Sequence, residues 1–277
     1  MKIRRSTVTI FLAAVPLFAL MALRPSLTGP SAWDVKNVPA ASAVPDTPAT
    51  PVLVELFTSE GCSSCPPADA LLSRLYRTQP VQGADIIALE EHVDYWDSLG
   101  WKDPFSSEAA TQRQNLYDQT FAGGQPYTPQ MIVDGSAQFV GSSDSDALHA
   151  IRAASQAPKP AVQLSWEQDD NLAIRVGPLS NSADRDGQQI ILVIAENMLH
   201  SEVKRGENAG RALEHNGVVR QLMPIGKIDA APAGFTSSVA VHAAREWNRA
   251  NLRAVVFVQE RRSLHVLAAA AIPFPKV

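Results

Sequence analysis

Cys62-Ser63-Ser64-Cys65 holds the only two cysteines of a 277-residue chain. Two thiols at this spacing suit reversible disulfide chemistry, in which one thiolate attacks a partner's sulfur and the second resolves the mixed disulfide. The attacking sulfur needs its charged form stabilised, and the first turn of a helix offers unpaired amides for that purpose. Cys62 stands just before such a turn. Pro66 and Pro67 sit where a first helical turn tolerates proline, which leaves the amides of Ser63, Ser64 and Cys65 to face the sulfur. Glu60 opposes them, since a nearby carboxylate raises a thiol pKa. The sequence therefore predicts an exposed, acidified nucleophile at Cys62 and an inner, resolving thiol at Cys65.

Four other uses of the pair compete. A stabilising disulfide across so short a loop removes little chain entropy, which weighs against a purely structural bridge. Structural zinc wants four ligands, and there is no second cysteine pair. Cu(I) is better matched, held by two thiolates and one imidazole, with His92 the histidine nearest in sequence. The last alternative is a non-catalytic envelope scaffold with an inert disulfide.

The elements that must position the pair are legible as patterns. Val52 to Phe57 is apolar on both faces apart from Glu55, as in a central strand beneath helices. Ala68, Leu71, Leu72, Leu75 and Tyr76 follow as one helical stripe that Pro80 ends. A second strand is predicted at Asp85–Leu89, running on toward His92, and a second helix from Ser107 to Phe121, stopped by Gly123 and Gly124. A loop at Tyr127-Thr128-Pro129, a short strand from Met131 and a turn at Asp134-Gly135 precede a last helix over Ser145–Ser155. The alternation predicts a compact α/β domain over 52–157. Beyond Pro158 and Pro160 the period shortens to two, at Val162, Leu164 and Trp166, at Leu172, Ile174 and Val176, and in runs at 190–194, 239–241, 252–258 and 264–272. Short, regularly spaced strands of this kind predict an all-β, sandwich-like second domain over 161–277.

At the other end, Lys2, Arg4 and Arg5 precede an apolar run from Val8 to Leu23. Residues 1–23 read as an export signal, cleaved or retained as an N-terminal membrane anchor, and place the protein in the periplasm or outside the cell. Residues 24–51 carry six prolines among small residues and read as a linker. Five of the 24 basic but only two of the 28 acidic side chains precede residue 51, so the remainder carries 19 against 26, a net of −7. That balance argues against a nucleic-acid partner.

Longer segments carry a resemblance. Glu55 to Asp69 around the thiol pair, His92-Val93-Asp94-Tyr95-Trp96, Gly100-Trp101-Lys102-Asp103-Pro104-Phe105 and Tyr127-Thr128-Pro129-Gln130 together resemble the DUF1223 family of exported proteins with a thioredoxin-like domain. Lys204–Arg211 and His215–Arg220 match it too. The resemblance, over about 52–277, implies a thioredoxin-like α/β fold for the first domain and a cis bond between Thr128 and Pro129 beside the thiols. There the backbone of residue 128 would pair with an extended substrate, and Pro129 would keep metals from the sulfurs. It also implies that an acidic residue in the preceding strand, here Glu55, takes the proton of the inner thiol, its pKa raised by burial. Trp96, Trp101 and Phe105 are expected to pack over the site, and Lys204–Arg211 to form a solvated hairpin. The activity implied is a thiol-disulfide oxidoreductase without a bound cofactor or metal. It acts on extracytoplasmic protein or small-molecule thiols, or with a membrane redox partner.

Overall fold

The computed structural model describes residues 48–121, 124–179, 187–228 and 234–275. The predicted signal and all but the end of the predicted linker lie outside them. The first strand, β1 (Thr50–Thr58), takes in the last two linker residues and points its side chains alternately to two faces. Val52, Val54 and Leu56 pack against α1 (Pro66–Thr78) and α3 (Asp144–Ser155). The predicted stripe supplies most of the buried face of α1, through Ala68, Leu71, Leu72 and Leu75. Leu53 and Phe57 face the other side of the sheet.

β2 (Ala84–His92) runs parallel to β1, and β3 (Gln130–Val133) runs antiparallel to it. Between them lies α2 (Glu108–Thr120), whose first turn is capped by the Ser107 hydroxyl accepting from the Ala110 amide. β4 (Ala137–Val140) pairs with β3 through the turn at Asp134 and Gly135, both at positive φ (48° and 63°). Gly135 is required there twice over, because a Cβ would lie 1.9 Å from the Leu264 carbonyl oxygen.

The second half adds β5 (Val162–Trp166), β6 (Asn171–Val176), β7 (Gln188–Glu196), β8 (Leu199–Glu202) and β9 (Ala212–His215). It continues with β10 (Val218–Ile228), β11 (Phe235–Ala240), β12 (Leu252–Glu260) and β13 (Val266–Pro273). Here the expected fold class fails. The chain does not divide into a thioredoxin-like α/β domain followed by an all-β sandwich-like domain. One eight-stranded mixed sheet, in the order β13-β12-β7-β10-β2-β1-β3-β4, runs through both halves. β5, β6 and β11 form a three-stranded sheet whose Leu172, Ile174 and Val176 pack on Leu192, Ile194 and Val256 of the large one. β8 and β9 make a separate hairpin.

The junction is narrow but closed from both directions. Val218 of β10 is opposite Glu90 of β2, and the Glu90 amide donates to the Gly217 carbonyl at 2.8 Å. Gly217 has φ +83°, and a Cβ on it would meet the Ala88 carbonyl oxygen at 2.6 Å, so only glycine lets the chain enter β10 this close to β2. Leu53, Ile87 and Leu89 of the first half share one core with Ile191, Val193, Phe257, Val266 and Ala269 of the second. β10 is hard to read in sequence because Pro224 and Gly226 look like strand breakers. The strand absorbs them at a register shift against β7 between Pro224 and Gly226, while β2 pairs only at its start, so the Pro224 nitrogen lies where no ladder bond to β2 is needed.

Candidate functional site

Cys62 and Cys65 are joined by a disulfide, their Cα atoms 5.5 Å apart, in the turn that leads from β1 into α1. Cys65 is the residue before the helix, and the amides of Ala68 and Asp69 donate back to its carbonyl. Ser63 and Ser64 between the cysteines are exposed, and the Ser64 hydroxyl lies 3.4 Å from the Cys62 sulfur. The expectation of an exposed Cys62 does not hold, since both cysteines are 0 % exposed.

The cover comes from far along the chain. In the loop between β8 and β9, the Asn208 side-chain amide donates to the carbonyls of Glu60 (2.9 Å) and Cys62 (2.8 Å), and the Glu207 carboxylate accepts from the Ser63 amide (3.0 Å). Asn208 is itself fully buried. The segment Lys204–Arg211 is the loop of the β8–β9 hairpin, solvent-exposed except at Asn208, and Asn208 and Glu207 fasten it onto the thiol turn through bonds to backbone groups.

Aromatic residues hold the other flank. Trp96 lies close enough to Gly61 that a Cβ there would sit 3.1 Å from the Trp96 Cβ, and its indole N–H donates to the Thr128 hydroxyl at 2.9 Å. The Trp101 indole donates to Glu60 at 2.7 Å, and Phe105 packs on the rings of His92 and His215. The Thr128–Pro129 bond is cis. Pro129 is buried on one side of Gly141, with Ala68 of α1 on the other, at 3.1 and 3.2 Å from where a Gly141 Cβ would stand. The turn, the Trp96 segment and the Thr128-Pro129 loop therefore meet at the start of α1.

Glu55 is not among them. It projects with Leu53 and Phe57 to the face opposite α1, where Arg113 donates to it at 2.6 Å and Tyr117 at 2.5 Å. On the α1 side, one helical turn after Cys65, Asp69 is buried and accepts from the Thr58 hydroxyl at 2.6 Å. Burial, aided by the charge of Glu90, pushes it up to about 7. In sequence Asp69 reads only as an acidic residue in a first turn, where carboxylates are common. Asn208 carries no local signal at all.

Next to the turn lies a buried polar cluster. Glu60 presents one oxygen to Trp101 and to the Ser201 hydroxyl (3.1 Å), and the other to His215 Nε2 at 3.3 Å. His215 Nδ1 is 2.6 Å from Glu90 Oε1, and His92 Nδ1 is 2.7 Å from Asp103. Burial would lower the His92 pKa, but the charge and hydrogen bond of Asp103 push it up to about 9. Glu90 responds in the opposite sense: burial would raise it, and His215 holds it at about 2.

A family model described as a protein of unknown function (DUF1223) matches residues 53–259. The chain belongs to the DUF1223 family. The match spans both halves of the large sheet, from β1 to β12, as the fused architecture requires. Among solved structures, this DUF1223 chain is similar to a crystallised protein of Agrobacterium tumefaciens, at 24 % identity and a TM-score of 0.66 over 83 % of this chain and 97 % of that one. It is also similar to HBP35 of Porphyromonas gingivalis, at 14 % identity and a TM-score of 0.60 over 83 % and 77 % of the two chains. At these identities the likeness shows the fold alone. No curated protein matches this DUF1223 member. Among its described residues, no helix is long and apolar enough to cross a membrane.

Proposed function

We propose that the Cys62–Cys65 pair is a redox-active disulfide that exchanges with extracytoplasmic thiols once the loop carrying Asn208 lifts from it. The observation that carries this reading is the placement of the disulfide. It closes the turn before α1, directly beneath one surface loop, with two exposed serines between its cysteines. A thiolate of the partner attacks the Cys62 sulfur, the S–S bond breaks, and Cys65 leaves as a thiolate. A second partner thiolate then attacks the mixed disulfide, forms the partner's own disulfide and releases Cys62, so the pair gains the two electrons the partner loses. Run backwards, the same steps reduce a partner disulfide. Asp69, near neutral in pKa and four residues after Cys65 on the same helical face, is placed to exchange the proton of the inner thiol. Thr128 and Pro129 would border an extended partner segment docked at the turn. An exported chain acting on protein thiols or with a membrane redox partner fits this chemistry, and no nucleic acid or cofactor is needed.

Complete burial of both sulfurs favours a second reading, an inert disulfide in a scaffold. Glutathione buffers of graded potential, followed by trapping of free thiols in the native protein, separate the two. Reversible reduction with a defined midpoint supports exchange. A pair that stays oxidised in the native protein but is reduced at once on denaturation supports the scaffold.

A further inference from the structure

The polar cluster beside the thiol turn draws two imidazoles and a carboxylate together in the interior, and leaves some of their atoms without a hydrogen bond. Glu90, His92 and His215 present one ligand atom each, all within 4.8 Å of one another, and all three residues are essentially buried. His92 Nε2 has no hydrogen-bond partner and points to Glu90 Oε1 at 3.5 Å. The same Glu90 oxygen faces His215 Nδ1. Each of the three groups is fixed from behind. Asp103 holds His92 by its Nδ1, and is itself held by the amides of Glu60 (2.8 Å) and Phe105 (2.9 Å). The second Glu90 oxygen accepts from the Asn216 amide at 3.0 Å. Glu60 Oε1, which also lacks a hydrogen-bond partner, stands 3.3 Å from His215 Nε2. A carboxylate behind each imidazole is the outer-shell arrangement that orients histidine ligands of metals.

We propose that Glu90, His92 and His215 bind one divalent transition-metal ion, zinc by its chemistry. Two imidazoles and a carboxylate supply three of the four ligands of a tetrahedral ion, and N/O sets of this kind suit zinc. Bonds of about 2.0–2.1 Å place tetrahedral ligands roughly 3.4 Å apart. The 3.5 Å between His92 Nε2 and Glu90 Oε1 already meets that spacing, whereas His215 Nδ1 must withdraw from Glu90, 2.6 Å away, and the ligand atoms, spread over as much as 4.8 Å, must draw in around the ion. The ion clamps β2 to β9 and, through Asp103 and Glu60, braces the turn that carries the disulfide.

The test uses the full chain with any affinity tag removed, stripped by a chelator and titrated with Co²⁺ and then Zn²⁺. The expected result is one equivalent of Co²⁺ with the visible absorption of a tetrahedral site, bleached by one equivalent of Zn²⁺. Replacing the outer-shell carboxylate, Asp103→Asn, is expected to weaken binding by about 10- to 100-fold. X-ray absorption of the zinc-loaded wild-type protein needs no variant to fold, and is expected to show only N/O neighbours with imidazole scattering. Failure of the wild-type protein to take up a stoichiometric ion overturns the proposal, as does sulfur in the zinc shell or unchanged affinity in a folded Asp103→Asn variant.

Discussion

Asn208 commits one side-chain amide to two carbonyls of the thiol turn, those of Glu60 and Cys62. Each buried hydrogen bond is worth about 1 kcal/mol net, so Asn208→Ala is expected to ease loop opening by roughly 2 kcal/mol. Reduction of the native disulfide by dithiothreitol should then run about tenfold faster or more, read as the rate at which free thiols become available to an alkylating reagent. An unchanged rate would mean that the loop is not what guards the sulfurs. The two carboxylates separate in the same way. Glu55→Gln weakens a buried ion pair with Arg113 and should destabilise the fold by a few kcal/mol, while leaving exchange per folded molecule intact. Asp69→Asn should instead slow the step that needs Cys65 as a thiolate, measured by the lifetime of a mixed disulfide trapped on Cys62. At this scale the sequence discloses the cysteines and the loop proline because their chemistry is local. It cannot disclose Asn208, which lies 146 residues from Cys62, nor tell which face of β1 carries Glu55. An apolar run on both faces gives no period from which to assign one.

The elements of the first half were readable because helical stripes, prolines and the Asp134-Gly135 turn all agree with one another. The last helix, predicted over Ser145–Ser155, runs Asp144–Ser155, and the second, predicted from Ser107, starts at Glu108 with Ser107 as its cap. In the second half the regular strands and a hairpin at Lys204–Arg211 were legible, and the strands β8 and β9 that flank it and the irregular β10 were not. Those three elements carry the loop over the disulfide, the buried His215 and the junction with β2. The cost of a wrong side chain at the junction is therefore a test of the topology. Gly217→Ala forces a Cβ against the Ala88 carbonyl from a left-handed backbone, and is expected to lower stability by about 1–3 kcal/mol in urea denaturation. A neutral substitution would place the entry to β10 away from β2.

For the molecule as a whole, the shared core of Leu53, Ile87 and Leu89 with Ile191, Val193 and Phe257 makes the two halves of the sheet mutually dependent. Thermal unfolding should then give one transition, coincident by far-ultraviolet circular dichroism and tryptophan fluorescence. A fragment ending near residue 158 should fail to fold, because Leu53 and Leu89 would expose the face that β7, β12 and β13 cover. Two separable transitions would restore the picture of independent domains that the strand periodicity suggests. The fused sheet also explains how a loop from the second half comes to close over chemistry in the first. The most direct measurement of that chemistry is thiol trapping in the native wild-type protein across a series of glutathione potentials. The account predicts reversible two-electron reduction of Cys62–Cys65 with a single midpoint, reached faster in Asn208→Ala. A disulfide that resists every buffer until the protein is denatured would contradict it.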